Sequence, residues 1–202
     1  VPLRLQKRIR SYYEYLWDSG QTSYNANLFG DLPDKLRLQL NVALKRRLIE
    51  KVPLFKLCSA TGVIALVQNL QPHIILPNDL IIRQGETADA MFFISRGTVR
   101  VYVINNGERK DRQNVNDHYI VSLHEGSFFG EIALTDERST RTANVRAVSF
   151  CELQVLSATD FKTTLDTYPD FKRAVELLAQ SRMRTTETLN RQNKVAGKFG
   201  LG

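Results

Sequence analysis

Only two cysteines and three histidines occur among the 202 residues. Cys58 and Cys151 stand alone, without the spacing of a metal site or a disulfide framework, and read as small buried apolar residues of a reducing compartment. His73, His118 and His124 are scattered, and no carboxylate–histidine cluster stands at ligand spacing. Hydrolytic chemistry would need such a metal cluster or a positioned base, so an enzyme is not expected. No apolar run approaches the roughly 20 residues that cross a bilayer, and Val1-Pro2-Leu3-Arg4 does not read as a signal peptide. The expectation is a soluble cytosolic piece.

What is present supports one domain of usual size with an appendage, since 43% of the residues are hydrophobic. The net charge of +7 is uneven. Residues 1–53 carry 10 Lys/Arg against 5 Asp/Glu, and residues 170–202 carry 7 against 3, while residues 54–169 carry 11 against 13. The middle is therefore slightly acidic, and any anion it binds must be held by local groups instead of a broad basic field. A nucleic-acid surface shows the opposite pattern, so no nucleic-acid partner is expected. The basic ends are compatible with lipid headgroups, with acidic patches on neighbouring subunits, or with plain solvated helix faces.

Three regions separate along the chain. In the first, Leu5, Ile9, Tyr12, Tyr13 and Leu16 recur at helical spacing between Pro2 and Ser19-Gly20, and a second helix opens at Asp31-Leu32-Pro33, carries Leu36, Leu40, Ala43 and Leu44, and breaks at Val52-Pro53. The second region, 73–157, has strand-like runs at 73–76, 80–83, 91–95, 98–104, 119–123, 142–147 and 151–156. Turn signals at Pro77-Asn78-Asp79, Gly85, Arg96-Gly97 and Gly126 separate them, which predicts a small antiparallel jelly roll. Residues 105–118 read as a long exposed hairpin. In the third region Ser157 and Asp160 make a capping box for a helix to Thr167, Tyr168-Pro169 interrupts, and a final helix runs from about Asp170 to Gln192. The whole reads as α+β: an antiparallel β-roll with flanking helices, preceded by an all-α linker of helical hairpins. The expected divisions are a helical linker over 1–55, the roll with its helices over 56–195, and a disordered tail over 196–202.

The most informative run is Gly130-Glu131-Ile132-Ala133-Leu134, with Arg141-Thr142-Ala143 a few residues on. One helical turn after Phe128-Phe129-Gly130 offers unpaired N–H groups and a dipole that favour an anion, and Gly130 lets the backbone come close. Arg141 supplies a planar fork of donors for two phosphate oxygens at once. A carboxylate beside that phosphate would be repulsive unless it accepted a hydrogen bond from an uncharged part of the ligand. A ribose 2′-hydroxyl is the natural donor to Glu131, and Thr142 adds a hydroxyl for phosphate or a base edge. The plain alternative is a turn with a surface Glu–Arg pair, which fits Gly-Glu alone but not the whole run.

The string F-F-G-E-I-A-L, with R-T-A-N-V-R-A seven residues after it, resembles the phosphate-binding cassette of cyclic-nucleotide-binding domains. Ile81-Ile82-Arg83-Gln84-Gly85-Glu86 and the run from Met91 to Val101 resemble the same family's β-roll. Residues 11–55, with Tyr12-Tyr13-Glu14-Tyr15-Leu16-Trp17 and Leu32-Pro33-Asp34-Lys35-Leu36-Arg37, resemble the C-linker of cyclic-nucleotide-gated and hyperpolarisation-activated cation channels, potassium channels among them.

That resemblance implies a ligand, cAMP or cGMP, and no cofactor. It gives Glu131 the ribose, Arg141 the phosphate, and Gly130, Ile132 and Ala133 the backbone cradle. Thr142 falls where a hydroxyl favours cGMP as well as cAMP. Val101, Val121 and Leu123 fall on the apolar wall around the purine, though as alternating strand residues they are equally compatible with a core role. Arg182 on the last helix matches an arginine that contacts the purine. Thr185-Thr186 stands where cGMP-selective channels carry an acid, so cAMP is expected to be the better ligand. The resemblance further implies a homotetramer on the cytoplasmic side of the cell membrane, with the pore domain outside this chain, whose ligand binding is coupled to pore opening. The alternative is a stand-alone cyclic-nucleotide-responsive regulator, either a transcription factor or a kinase regulatory subunit. The first would need a recognition helix where only about ten residues remain, the second a further cassette or an inhibitory segment.

Overall fold

The computed structural model describes residues 1–19, 32–104, 117–135 and 140–198. The expected hairpin tip between 105 and 116 lies outside them. The chain forms two compact units, Val1–Lys45 and Arg46–Gly202.

In the first unit α1 spans Leu3–Asp18 and α2 spans Asp34–Leu44. Each follows a proline whose φ near −55° is already that of a helix: Pro2 and Pro33 sit at the N-cap positions, and their carbonyls accept the first helical N–H groups, as with Leu5 and Gln6 on Pro2. Along α1 the apolar residues Leu5, Ile9, Tyr13 and Trp17 recur every four residues and are 46–78% exposed. The helix expected to continue to Val52 is instead divided at Lys45, after which α3 begins at Arg46. Nothing at Lys45 breaks a helix by propensity, since lysine is a good former, so the division is a tertiary outcome.

The second unit starts with α3 (Arg46–Lys51), α4 (Pro53–Lys56) and α5 (Ala60–Asn69). Eight strands follow among the described residues: β1 Gln71–Ile75, β2 Leu80–Ile82, β3 Ala90–Arg96, β4 Thr98–Ile104, β5 Asp117–His124, β6 Phe128–Phe129, β7 Asn144–Ala147 and β8 Cys151–Ser157. They make two antiparallel four-stranded sheets, ordered β1-β8-β3-β6 and β2-β7-β4-β5, an open jelly-roll arrangement within an α+β fold. Residues of alternate parity meet between the sheets, where Ile82, Ile94, Val99, Phe129, Val145, Ala147, Cys151 and Leu153 form the roll's core.

The first sheet is covered on its other face too. On β3, Phe92 and Ile94 turn to the roll while Met91 and Phe93 are fully buried, with Phe93 stacked on Phe55 of α4 at 5.1 Å. Residues 90–94 of β3 therefore read as a continuous apolar run, as strands buried on both faces do. The tight β3–β4 turn depends on Gly97, whose φ is +100° and where a Cβ would fall 2.3 Å from the Phe150 carbonyl oxygen.

Ser157 caps α7 (Ala158–Thr167) as its spacing predicts: its hydroxyl accepts from the Asp160 N–H at 3.0 Å. Pro169 opens α8, which runs to Lys198, beyond the expected end at Gln192 and three residues into the expected tail. Phe161 of α7 and Phe171 of α8 meet edge to face at 5.8 Å. At the other end of the layer, Glu125 on the β5–β6 turn takes Arg47 at 2.7 Å and Lys51 at 3.0 Å, tying α3 to the strand that enters the Gly130 turn. Burial alone would raise the Glu125 pKa, but the hydrogen bonds and charges of Lys51 and Arg47 hold it below the usual glutamate value.

Candidate functional site

β6 ends at Phe129, Gly130 takes φ +91°, and α6 (Ile132–Thr135) follows as a single turn closed by bonds from Leu134 and Thr135 to the Glu131 carbonyl. A side chain at Gly130 is excluded twice. Positive φ strains it, and a Cβ would stand 2.9 Å from Nη1 of Arg141 and 3.3 Å from both the Ala90 oxygen and Ile82. The glycine thus makes the space that Arg141 fills.

Arg141 is 4% exposed, and its fork is held by the protein on three sides. Nη1 donates to the Gly130 carbonyl at 3.0 Å, and Nη2 donates to the Ala90 carbonyl at 2.7 Å and to Asp89 Oδ1 at 2.8 Å. Its backbone is pinned as well, with N donating to Glu86 at 2.8 Å and O accepting from Gly85 at 2.9 Å. Burial lowers its pKa from the usual arginine value, while Asp89, Glu131 and Glu86 pull the other way. The group stays a cation.

Glu131 is buried, at 1% exposure. Oε1 accepts from Nη1 of Arg182 at 2.7 Å, but Oε2 has no hydrogen-bond partner although it too is buried. Arg182 is anchored beside it, donating to the Phe128 carbonyl at 2.7 Å with its guanidinium 4.1 Å from the centre of the Phe128 ring. An unsatisfied buried carboxylate oxygen is costly, and a ligand hydroxyl is one way to satisfy it.

These groups line one cavity of about 330 Å³, within the range of small-molecule sites. All ten residues singled out from the sequence border it: Gly130, Glu131, Ile132, Ala133, Arg141 and Thr142 on the turn and its return, Val101, Val121 and Leu123 on the strands, and Arg182 on α8. The cavity therefore has a charged end at Arg141 and Glu131 and an apolar wall.

Five lining residues were not anticipated: Ile82, Ile120, Phe129, Ala143 and Val145. Ile82, Phe129 and Val145 belong to the roll's core and reach the cavity from it. Ile120 has a different origin. On β5, Val121 pairs with Val101 but Tyr119 pairs with Tyr102, so Ile120 is the extra residue of a β-bulge, and both Ile120 and Val121 line the cavity. Asp89 was missed as well, for it touches the site only through Arg141.

No group of three or more His, Cys, Asp or Glu stands together as a metal site among the described residues. Burial pushes the Cys58 thiol up to about 11, with Asp170 adding to it, and burial also raises Cys151, so neither is a thiolate nucleophile near neutrality. No helix of the described residues is long and apolar enough to cross a membrane.

Residues 73–168 match the family model described as the cyclic nucleotide-binding domain. The chain is similar to the cyclic nucleotide-gated channel beta-1 of Homo sapiens, at 30% identity over 96% of this chain and 15% of that protein. It is similar to the cyclic nucleotide-gated channel of Caenorhabditis elegans at 32% identity, over 90% of this chain and 24% of the relative. It also resembles the potassium/sodium hyperpolarization-activated cyclic nucleotide-gated channel 4 of Rattus norvegicus at 33% identity, over 91% of this chain and 14% of the relative. The chain thus spans a quarter or less of the length of these relatives.

Proposed function

We propose, from the match of residues 73–168 to the cyclic nucleotide-binding domain, that this chain is the ligand-sensing region of a tetrameric cation channel, binding cAMP in preference to cGMP and passing that binding to a pore outside this chain. The observation that carries the reading is Glu131: a buried carboxylate with one oxygen held by Arg182 and the other unpartnered, on the same cavity as a buried arginine.

In this reading Arg141 receives the cyclic phosphate, with the backbone of Ile132 and Ala133 beside it. Oε2 of Glu131 accepts the ribose 2′-hydroxyl. The purine lies along Val101, Ile120, Val121 and Leu123, with Thr142 near its edge and Arg182 above it on α8. No bond is made or broken, so the protein acts by binding alone and needs no cofactor.

The ligand shifts a conformational equilibrium only through unequal affinity for its two states. α8 supplies such an element, because its hold on the roll passes through Arg182 onto the acid that also takes the ribose. The relatives' names support the channel context, and the clamp of Arg47 and Lys51 on Glu125 offers a route from the Gly130 turn to α3. The natural setting in this reading is the cytoplasmic side of the cell membrane.

Calorimetric titration tests the ligand directly. The expected result is one site per chain, with cAMP binding more tightly than cGMP because no carboxylate stands at Thr185-Thr186 to accept from the guanine N1 and N2 hydrogens. Absence of binding by either nucleotide would overturn the reading, and a preference for cGMP would overturn its selectivity.

The assembly has its own test. The exposed Leu5–Ile9–Tyr13–Trp17 stripe on α1 supports a heterologous contact between copies, which closes into a ring when repeated about an axis. Sedimentation velocity should show a shift from monomer toward tetramer as protein concentration rises, with cAMP favouring the tetramer through linkage. A chain that remains monomeric at high concentration with ligand, or that forms only a dimer, would point to a stand-alone regulator.

A further inference from the structure

Arg141 is not free to meet a phosphate with a full fork. A guanidinium has five N–H donors, and every edge able to grip two oxygens in parallel uses Nη2. Both Nη2 hydrogens are engaged, one by the Ala90 carbonyl at 2.7 Å and one by Asp89 Oδ1 at 2.8 Å. A bidentate phosphate contact must therefore displace one of the two.

The two acceptors differ in what leaving costs. Ala90 is 7% exposed and its carbonyl belongs to the start of β3, so losing its partner leaves a backbone oxygen without a hydrogen bond in a buried place. The Asp89 side chain is 86% exposed, against 4% for the Arg141 side chain it pairs with. Its carboxylate recovers full hydration by turning outward. Its backbone is independently fixed, because the Asp89 carbonyl accepts from Ala158 N, the first residue of α7, at 2.7 Å.

The charges around the phosphate end also balance. Arg141 faces Asp89, Arg182 faces Glu131, and Arg83 faces Glu86 at 3.2 Å. A cyclic phosphodiester brings one negative charge into this neutral set. An open 5′-monophosphate brings nearly two near neutral pH.

We propose that Asp89 is a specificity-determining residue of the nucleotide site: its carboxylate is the internal anion that phosphate displaces from Arg141, and its charge sets the preference for a singly charged cyclic phosphate over a doubly charged open one. This deepens the reading of the cavity as a cyclic-nucleotide site and rests on it. Asp89 opposes every anion that approaches Arg141, and it opposes a dianion twice as strongly, so it discriminates by charge where the apolar wall cannot.

The test compares wild type with Asp89→Asn, which keeps size and backbone, and Asp89→Ala as a second variant. Each is titrated with cAMP and with 5′-AMP by calorimetry above pH 7, after a thermal melt confirms folding. At an effective dielectric between protein surface and water, one charge several ångströms away changes affinity by about fivefold. Both variants should bind cAMP about fivefold more tightly and 5′-AMP about twenty-five-fold more tightly, so the selectivity ratio narrows by about fivefold. A loss of cAMP affinity in both variants would overturn the proposal, since Asp89 would then be orienting Arg141 instead of competing for it. An unchanged ratio of 5′-AMP to cAMP would overturn it equally. Wild-type protein that binds no cyclic nucleotide would instead remove the reading of the site itself, which keeps the two failures apart.

Discussion

Replacing Arg141 with alanine will weaken cAMP binding on the order of tenfold to a hundredfold, and it will do so for cGMP alike, because both ligands carry the same cyclic phosphate. A charge-assisted bond contributes about 1.5–3 kcal/mol, and the guanidinium is buried where water does not compete for it. The variant leaves the Gly130 and Ala90 carbonyls without their donor and opens a void, so a fall in melting temperature accompanies the loss. Arg141→Lys separates the two effects. It keeps the charge and much of the volume but not the planar fork, so it should recover much of the stability and little of the affinity. Circular dichroism confirms the roll, and titration reads the binding. Unchanged cAMP affinity in a folded Arg141→Ala protein would remove Arg141 from the phosphate role.

Much of the architecture was written locally. The capping pair Ser157 and Asp160, the prolines at Pro2 and Pro33, and the glycines at turns each act within a few residues of themselves, so their spacing reports their structure. The cassette was legible for the same reason. Gly130, Glu131 and Ile132 are consecutive, and Arg141 returns after a short excursion to a cavity those residues already border.

What escaped was set at a distance. The division of the α2–α3 stretch at Lys45 has no propensity signal. The bulge that brings Ile120 beside Val121 is a matter of how β5 registers against β4, and alternation along β5 alone gives no sign of it. Asp89 and Arg141 are 52 residues apart and meet where the start of β3 comes beside the Arg141 guanidinium. Arg182 is a different case. The resemblance gave it a ligand contact, but its hydrogen bond to Glu131 comes from the packing of α8 near α6, which no local spacing reports.

The second large effect is expected at Glu131. Glu131→Ala should cost about ten- to a hundredfold in cAMP affinity, from two losses that one experiment can separate. The first is the acceptor for the ribose 2′-hydroxyl, supplied by the unpartnered Oε2. The second is the anchor of α8, since Arg182 loses the carboxylate it meets at 2.7 Å while its contacts with the Phe128 carbonyl and ring remain. Removing the hydroxyl from the ligand instead isolates the first loss. In wild type, 2′-deoxy-cAMP should bind on the order of tenfold more weakly than cAMP, because a buried charged oxygen is left unpaired. In Glu131→Ala the two ligands should bind alike, since neither finds an acceptor there. This is the coupling of a double-mutant cycle in which one change is made in the ligand. If the penalty for the missing hydroxyl persists undiminished in the variant, another group takes the ribose, and Glu131 serves only to hold Arg182 and α8 over the cavity.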